Sequence, residues 1–215
     1  MKKIKNDQFF LNLEKYVTKL YPDEFERLSY LKLKCWPSPK DEAWRLSRLG
    51  ELSRKDIYPF NSNDNKSYKI KKLFKNSLSL VFVNGKLIKN LSDELSSQFS
   101  IEEVKLSDIK KIVNKFDNPT INSHPTFNST LSCSENFFKI KFQNNIKLTN
   151  PIEIFNLGGT EKTSIHPFIF FDLGEDNDVQ VFQHFSTSSG LTAPLEIIKK
   201  KKNSKLEIIK VYNEK

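Results

Sequence analysis

Arginine is scarce in this chain, 4 residues against 31 lysines, so its net charge of +9 comes almost wholly from ammonium groups. Readers of nucleic acid lean on the bidentate guanidinium. The balance therefore argues against such a partner, and lysine abundance alongside many Asn and Ile points to a coding bias. Cysteine is equally sparse: Cys35 and Cys133 have no CxxC spacing and no neighbouring His. That excludes a disulfide framework and a zinc-finger pattern, and leaves two reduced core thiols in a cytosolic chain. The three histidines, His124, His166 and His184, form no metal-ligand spacing with Cys133. Long apolar runs are missing too. The richest, Leu78 to Val83 and Phe168 to Phe171, have strand length and fall far short of the roughly 20 residues that cross a bilayer. The basic start Met1-Lys-Lys-Ile-Lys5 leads into an apolar stretch broken by Asn12 and Glu14, so no export signal is read and a cytoplasmic location is expected.

What is present suffices for a folded chain, since 37% of the 215 residues are apolar and 12% aromatic. Residues 1–60 read as a helical region. Phe9, Phe10, Leu13, Val17 and Leu20 recur at three to four residues, and Pro22-Asp-Glu24 opens a second helix carrying Phe25, Leu28 and Leu31. After the break at Trp36-Pro-Ser-Pro39, Asp41 to Leu49 starts a third, with Trp44 and Leu49 on its buried face. Residues 61–118 hold a polar linker, a hairpin over 78–88 and a further helix. The hairpin is signalled by Asn84-Gly85, which tolerates the positive φ angles of a type I′ turn. The helix carries Ile109, Ile112, Val113 and Phe116 behind a Ser107 or Asp108 cap, and Asn118-Pro119 ends it. Beyond Pro119 no helical stripe recurs, and residues 119–215 read as short strands.

Those strands rhyme. Asn150 to Phe155, Asn177 to Phe182 and Ser204 to Ile209 share a pattern at a spacing of 27 residues, and His166-Pro167 to Phe171 returns as Ala193-Pro194 to Ile198 at the same spacing. Strand starts at 152, 168, 179, 195 and 206 alternate gaps of 16 and 11. A fixed period over short β segments signals a solenoid, in which each unit buries its apolar face against the next. Asn144-Asn145 and Gly174 to Asn177 serve as its turns. The expected fold is α+β: an N-terminal helical domain followed by the first coils of a right-handed parallel β-helix.

Candidate chemistry is thin. Gly158-Gly-Thr-Glu-Lys-Thr163 lacks the Gly directly before Lys that a phosphate loop needs, and strands flank it. Asp172, Glu175, Asp176 and Asp178 do not alternate as calcium ligands do, so they read as a solvated turn. The lysine run 199–202 reads as another. His166 and His184 have no nucleophile at a telling position and read as structural. No catalytic, cofactor-binding or metal-binding residue is assigned, and the chain is not expected to be an enzyme.

Four segments nevertheless resemble a known family. Ser38-Pro-Lys-Asp-Glu-Ala-Trp-Arg-Leu-Ser-Arg-Leu49 is similar to an "R-x-E-x-W-R-x-[ST]-x-L" element of the SufD family of iron–sulfur cluster assembly proteins, with Lys40 where Arg is frequent. Leu80-Val-Phe-Val-Asn-Gly-Lys86 resembles its "VFVDGR" hairpin, and Phe127-Asn128 through Pro151-Ile152 resembles "LN…F…I…P…L…PI". His166-Pro-Phe-Ile-Phe-Phe-Asp-Leu-Gly-Glu175 resembles "HPR-x-LI-x-LGE", continued by Val179-Gln-Val-Phe-Gln-His-Phe185. The resemblance implies a helical domain leading into a right-handed parallel β-helix. It also implies a SufB-like paralogue and a SufC-like ABC ATPase as partners in a complex that handles iron and clusters. Members of that family run to about twice this length. The ATPase-binding region, the heterodimer surface and the His and Cys positions tied to assembly lie in the part this chain does not match, so no residue here inherits those roles. The expectation is a non-catalytic scaffold subunit, here an N-terminal half whose last strands are uncapped and prone to pairing or aggregation. A stand-alone β-helix module binding protein or carbohydrate is the alternative, separated from the first by co-purification with Suf partners.

Overall fold

A computed structural model describes residues 8–32, 52, 55–59, 68–95, 97–115, 124–187 and 190–212. Cys35, the expected third helix at 41–49 with the Trp-Arg element, Phe116 and Asn118-Pro119 lie outside the described residues. The described residues form a mixed α/β structure of four helices and three mostly parallel sheets.

Helix α1 (Gln8–Leu20) buries Phe9, Leu13 and Val17 as the apolar spacing predicts, and Asn12 with them. The Asn12 amide is satisfied there, donating to Asp56 Oδ1 and to the Ile57 carbonyl, both at 3.1 Å. Helix α2 (Phe25–Lys32) follows the Pro22 turn. Strand β1 (Tyr58–Pro59) is short; β2 (Leu78–Val83) and β3 (Lys86–Leu87) make the predicted hairpin, with Asn84 at φ 52° and Gly85 at φ 83°, the signs a type I′ turn requires.

Two elements were not foreseen. Strand β4 (Phe99–Val104) pairs antiparallel with β5 (Phe137–Phe142), and between them lie helix α3 (Leu106–Val113) and helix α4 (Pro125–Cys133). Lys105, two positions ahead of Ser107 and three ahead of Asp108, is the residue at the N-terminal boundary of α3, so neither predicted cap holds that position. Helix α4 corrects the expectation that no helix follows residue 118. All of its described residues but Thr126 are buried, with small Ser and Thr side chains among Phe127, Leu131 and Cys133, so it has no polar face and no stripe to read.

The remaining strands are β6 (Ile152–Gly158), β7 (Thr163–Ile165), β8 (Phe168–Leu173), β9 (Asp178–Thr187), β10 (Leu191–Thr192), β11 (Leu195–Lys200) and β12 (Lys205–Tyr212). They distribute in rotation over the three sheets, whose orders are β1-β7-β10, β4-β5-β8-β11 and β3-β2-β6-β9-β12. The 27-residue period holds for the last unit in both large sheets: Phe168 pairs with Leu195, and Asp178 with Lys205. It fails one unit earlier. Ile152 pairs with Val181 and not with Val179, because the five-residue step from Lys147 to Ile152 faces only the three-residue step from Asp178 to Val181. Pro151 has no N–H for the ladder, so the chain loops out just before β6. A slip of two keeps Ile152 and Ile154 inward, since side chains alternate with period two. The segment 146–148 is accordingly reduced to a single bridge at Lys147.

The turns stack as the strands do. Asn145, Asp176 and Asn203 all take positive φ, at 61°, 54° and 55°. Asn145 N–H donates to the Glu175 carbonyl at 2.8 Å, and Asp176 N–H to the Lys202 carbonyl at 3.0 Å. Asn and Asp tolerate that conformation better than most side chains, which is why polar turn residues echo from unit to unit.

The main core lies between the two large sheets: Leu80, Phe82, Ile152, Ile154, Val179 and Val181 meet Phe138, Ile140, Phe142, Ile169 and Phe171. A second layer packs Ile109, Val113, Tyr30, Phe127 and Leu131 onto the outer face of the four-stranded sheet through Phe137, Phe168 and Phe170. Each fully buried side chain of this size is worth about 1.5–3 kcal/mol of transfer free energy. On the outer edge, β11 and β12 carry Lys199, Lys200, Lys205 and Lys210, residues that blunt an edge against further pairing.

Candidate functional site

Strand β6 is buried along its whole length, and its outward positions are Glu153, Phe155 and Leu157. Glu153 is an anomaly there: its side chain has 0% exposure. The segment ahead of β2 explains it. Leu73 N–H donates to Glu153 Oε2 at 2.9 Å, Phe74 N–H to Oε1 at 3.1 Å, and the Ser77 hydroxyl also bonds Oε1. His184, on the neighbouring strand β9, completes the set with Nε2 at 2.8 Å from Oε2. Burial pushes the carboxyl's pKa up, but the bonds from Ser77, Leu73, Phe74 and His184 outweigh it and hold the group below its usual value.

Aromatic contacts close the site. The His184 ring lies flat on Phe155, with centroids 4.4 Å apart and planes 8° from parallel, and Phe74 meets Phe182 at 4.6 Å. Tyr68 and Ile70 pack on Val81, Val83, Phe155 and Leu157. With both carboxylate oxygens shared between two donors each, Glu153 is committed to holding the strap 68–77 against the sheet. Chemically it is an anchor.

His184, read from the sequence as structural, lies beside Glu153; Glu153 itself is not singled out by the sequence reading. A lone carboxylate inside Ile152-Glu-Ile-Phe155 was the available signal, because a strand covered on both faces has no solvated position for it.

His166 is buried, and burial holds its pKa down to about 3, so the ring is neutral. Its Nε2 lies 3.0 Å from Ser164 Oγ, and Ser134 Oγ donates to its backbone carbonyl at 2.5 Å. Cys133 sits in another cluster, with Phe9, Leu13, Val17 and Leu31, where burial pushes its thiol pKa up. Burial lowers the pKa of His124 as well. Among the described residues no group of three or more His, Cys, Asp or Glu side chains could hold a metal ion.

The acids at 172–178 and the lysines at 199–205, two separate solvated turns in the sequence, are layers of one ladder. Asp172 Oδ1 is 3.5 Å from Lys199 Nζ, Asp178 Oδ1 4.0 Å from Lys205 Nζ, and Asn203 Nδ2 donates to Asp176 Oδ1 at 2.9 Å. Each partner stands 27 residues after its acid. Asp172 also faces Lys139 on the preceding unit at 3.6 Å. The Asp178–Lys205 pair is exposed on both sides and contributes about 0–1 kcal/mol, whereas Asp172 is largely covered between Lys139 and Lys199.

The loop 158–163 is a tight corner. Gly158 (φ 119°) and Gly159 (φ 70°) turn against Asn84, whose Oδ1 accepts from Gly159 N–H at 3.0 Å. Thr163 Oγ1 accepts from Thr160 N–H at 2.6 Å, and strands lie on both sides as the sequence indicated. A cleft of about 800 Å³ opens between the start of α2 and the β4–α3 junction. Four of its acids are engaged: Glu24 with Arg27 at 2.6 Å, Glu26 with Lys110 at 2.7 Å, Glu135 with Lys86 at 2.8 Å, and Glu103 with the Asn136 side-chain amide. Among the described residues no helix is long and apolar enough to cross a membrane.

No family model matches the chain, and no curated protein matches it.

Proposed function

We propose that this chain is a non-catalytic scaffold subunit of iron–sulfur cluster assembly, of the SufD kind, and that its three sheets are the first coils of a right-handed parallel β-helix. One observation carries the reading: the same 27-residue step relates Phe168 to Leu195 in one sheet and Asp178 to Lys205 in another. A coil that winds through both sheets accounts for that coincidence. A sandwich has no reason to produce it. The helices packed on the outer face of the four-stranded sheet agree with the architecture that the four resembling segments imply.

A scaffold also fits the way polar groups are spent. Glu153 pins a strap, and Arg27, 4% exposed, donates to the Ser132 and Ser134 carbonyls at 3.1 and 2.6 Å, tying α2 to the end of α4. These are the uses that a rigid platform makes of buried charge.

The test is co-expression with the SufB-like and SufC-like proteins of the same source, followed by affinity capture and gel filtration. A stable complex of defined stoichiometry is expected. Recovery of this chain without either partner, including in a version lengthened by any coding sequence downstream of Lys215, would sink the proposal.

A further inference from the structure

Along strands β6, β9 and β12 the inward positions are apolar except towards the C-terminal end of each strand. The inward positions of β6 are Ile152, Ile154 and Asn156; those of β9 begin Val179, Val181 and Gln183; those of β12 are Leu206, Ile208 and Lys210. The third inward position of each strand is therefore polar. Gln183 pairs with Ile154 and Asn156 with Phe185, which makes Asn156 and Gln183 diagonal neighbours on one face.

Both amides are deeply buried, Asn156 at 2% and Gln183 at 1% exposure. Asn156 Oδ1 and Gln183 Nε2 have no hydrogen-bond partner among the described residues. One is an acceptor and the other a donor, so a single molecule that can donate and accept would satisfy both. Buried polar atoms in folded proteins are rarely left unpaired, and where protein groups do not reach them ordered water usually does. One unit further along, directly beside Gln183 in register, Lys210 reaches across the interior to Glu196, Nζ to Oε2 at 2.6 Å. Glu196 occupies an inward position, aligned with Ile169 of the apolar core. The two side chains are 33% and 14% exposed, so the interior meets solvent at this pair.

We propose that Asn156 and Gln183 form an internal binding site for a small hydrogen-bonding molecule, namely water, with the Glu196–Lys210 pair closing the route to bulk solvent. The bound water accepts from Gln183 Nε2–H and donates to Asn156 Oδ1. It is the interior counterpart of the polar turns outside, letting an apolar stack carry amides at one end without orphaned groups.

Water-to-amide cross-relaxation NMR on the whole chain tests this, with Gln183→Met assigning the side-chain signal and supplying a thermal melt. The expected result is a cross-peak from long-lived water to the Gln183 side-chain amide, together with a lower Tm for Gln183→Met, because methionine expels the water and strands Asn156 Oδ1. The proposal is overturned by an assigned Gln183 amide with no such cross-peak, or by a Tm for Gln183→Met raised by about 2–4 °C or more, the response to deleting an unsatisfied group. If the variant does not fold, the wild-type cross-peak alone decides.

Discussion

Glu153→Gln is the substitution that most sharply separates an anchor from an incidental buried acid. The amide keeps the shape of the carboxylate but replaces one of two accepting oxygens with a donor. If its oxygen stays with Phe74 N–H and Ser77, its NH₂ faces Leu73 N–H at the position that now accepts at 2.9 Å. The opposite rotamer strands Phe74 N–H instead. Either way one main-chain N–H loses its partner, at a cost of about 1–3 kcal/mol, and the remaining bonds lose their charge assistance. A net loss of about 2 kcal/mol in strap docking corresponds to a roughly 30-fold fall in local hydrogen-exchange protection at Leu73 and Phe74. Exchange at pH 7 read by NMR or mass spectrometry measures it residue by residue. Protection within about threefold of wild type would show that the strap is held by something else, and the anchor argument would fail. The pH dependence follows from the same bonds. The folded carboxyl titrates below its unfolded value, so its contribution is complete above about pH 4.5 and disappears as the pH falls through the folded pKa. The gap between wild type and Glu153→Gln should close over that acidic range.

Two further outcomes are expected. Gly158→Ala places a methyl where Asn84 Oδ1 would be 1.9 Å away, at a backbone φ of 119° that L residues rarely adopt; a loss of about 2–4 kcal/mol by chemical denaturation is expected, and adding Asn84→Ala should recover only part of it, because the strain in φ remains. Burial holds the folded His166 pKa at about 3, below the ordinary 6.5 of an imidazole, so the unfolded state takes up its proton first and stability falls as pH drops from about 6.5 towards 3. Melts of His166→Gln should show a shallower decline than wild type between pH 6.5 and 5, and parallel curves would contradict the burial argument.

Much of the strand content is legible in the sequence. Strands begin at Ile152, Phe168, Asp178, Leu195 and Lys205, each at the expected position or one residue before it, because alternating apolar residues bounded by Asn, Asp and Gly leave few other choices. Register is less legible. The slip of two at Pro151 preserves the inside–outside pattern, so hydrophobic periodicity cannot distinguish Val179 from Val181 as the partner of Ile152. Helix α4 escaped for the opposite reason, as burial all round erases the stripe. The site was hidden by its long-range character: Glu153 meets groups at 73, 74, 77 and 184 that only folding brings together. The charge ladder could have been found by applying the repeat to charged residues as well as apolar ones, since Lys199 and Lys205 each follow an acid at the repeat distance.

The stacking register is what the scaffold reading rests on, and spin labels at Asp178 and Lys205 test it directly. Both side chains are exposed, at 60% and 68%, and their residues pair on adjacent parallel strands. Neighbouring strands lie about 4.8 Å apart, so nitroxides attached to Cys at these two positions, in a background with Cys35 replaced by Ser, should broaden each other's continuous-wave spectra strongly. Spectra equal to the sum of the two singly labelled chains would place residues 178 and 205 on strands that do not stack, and would contradict the account.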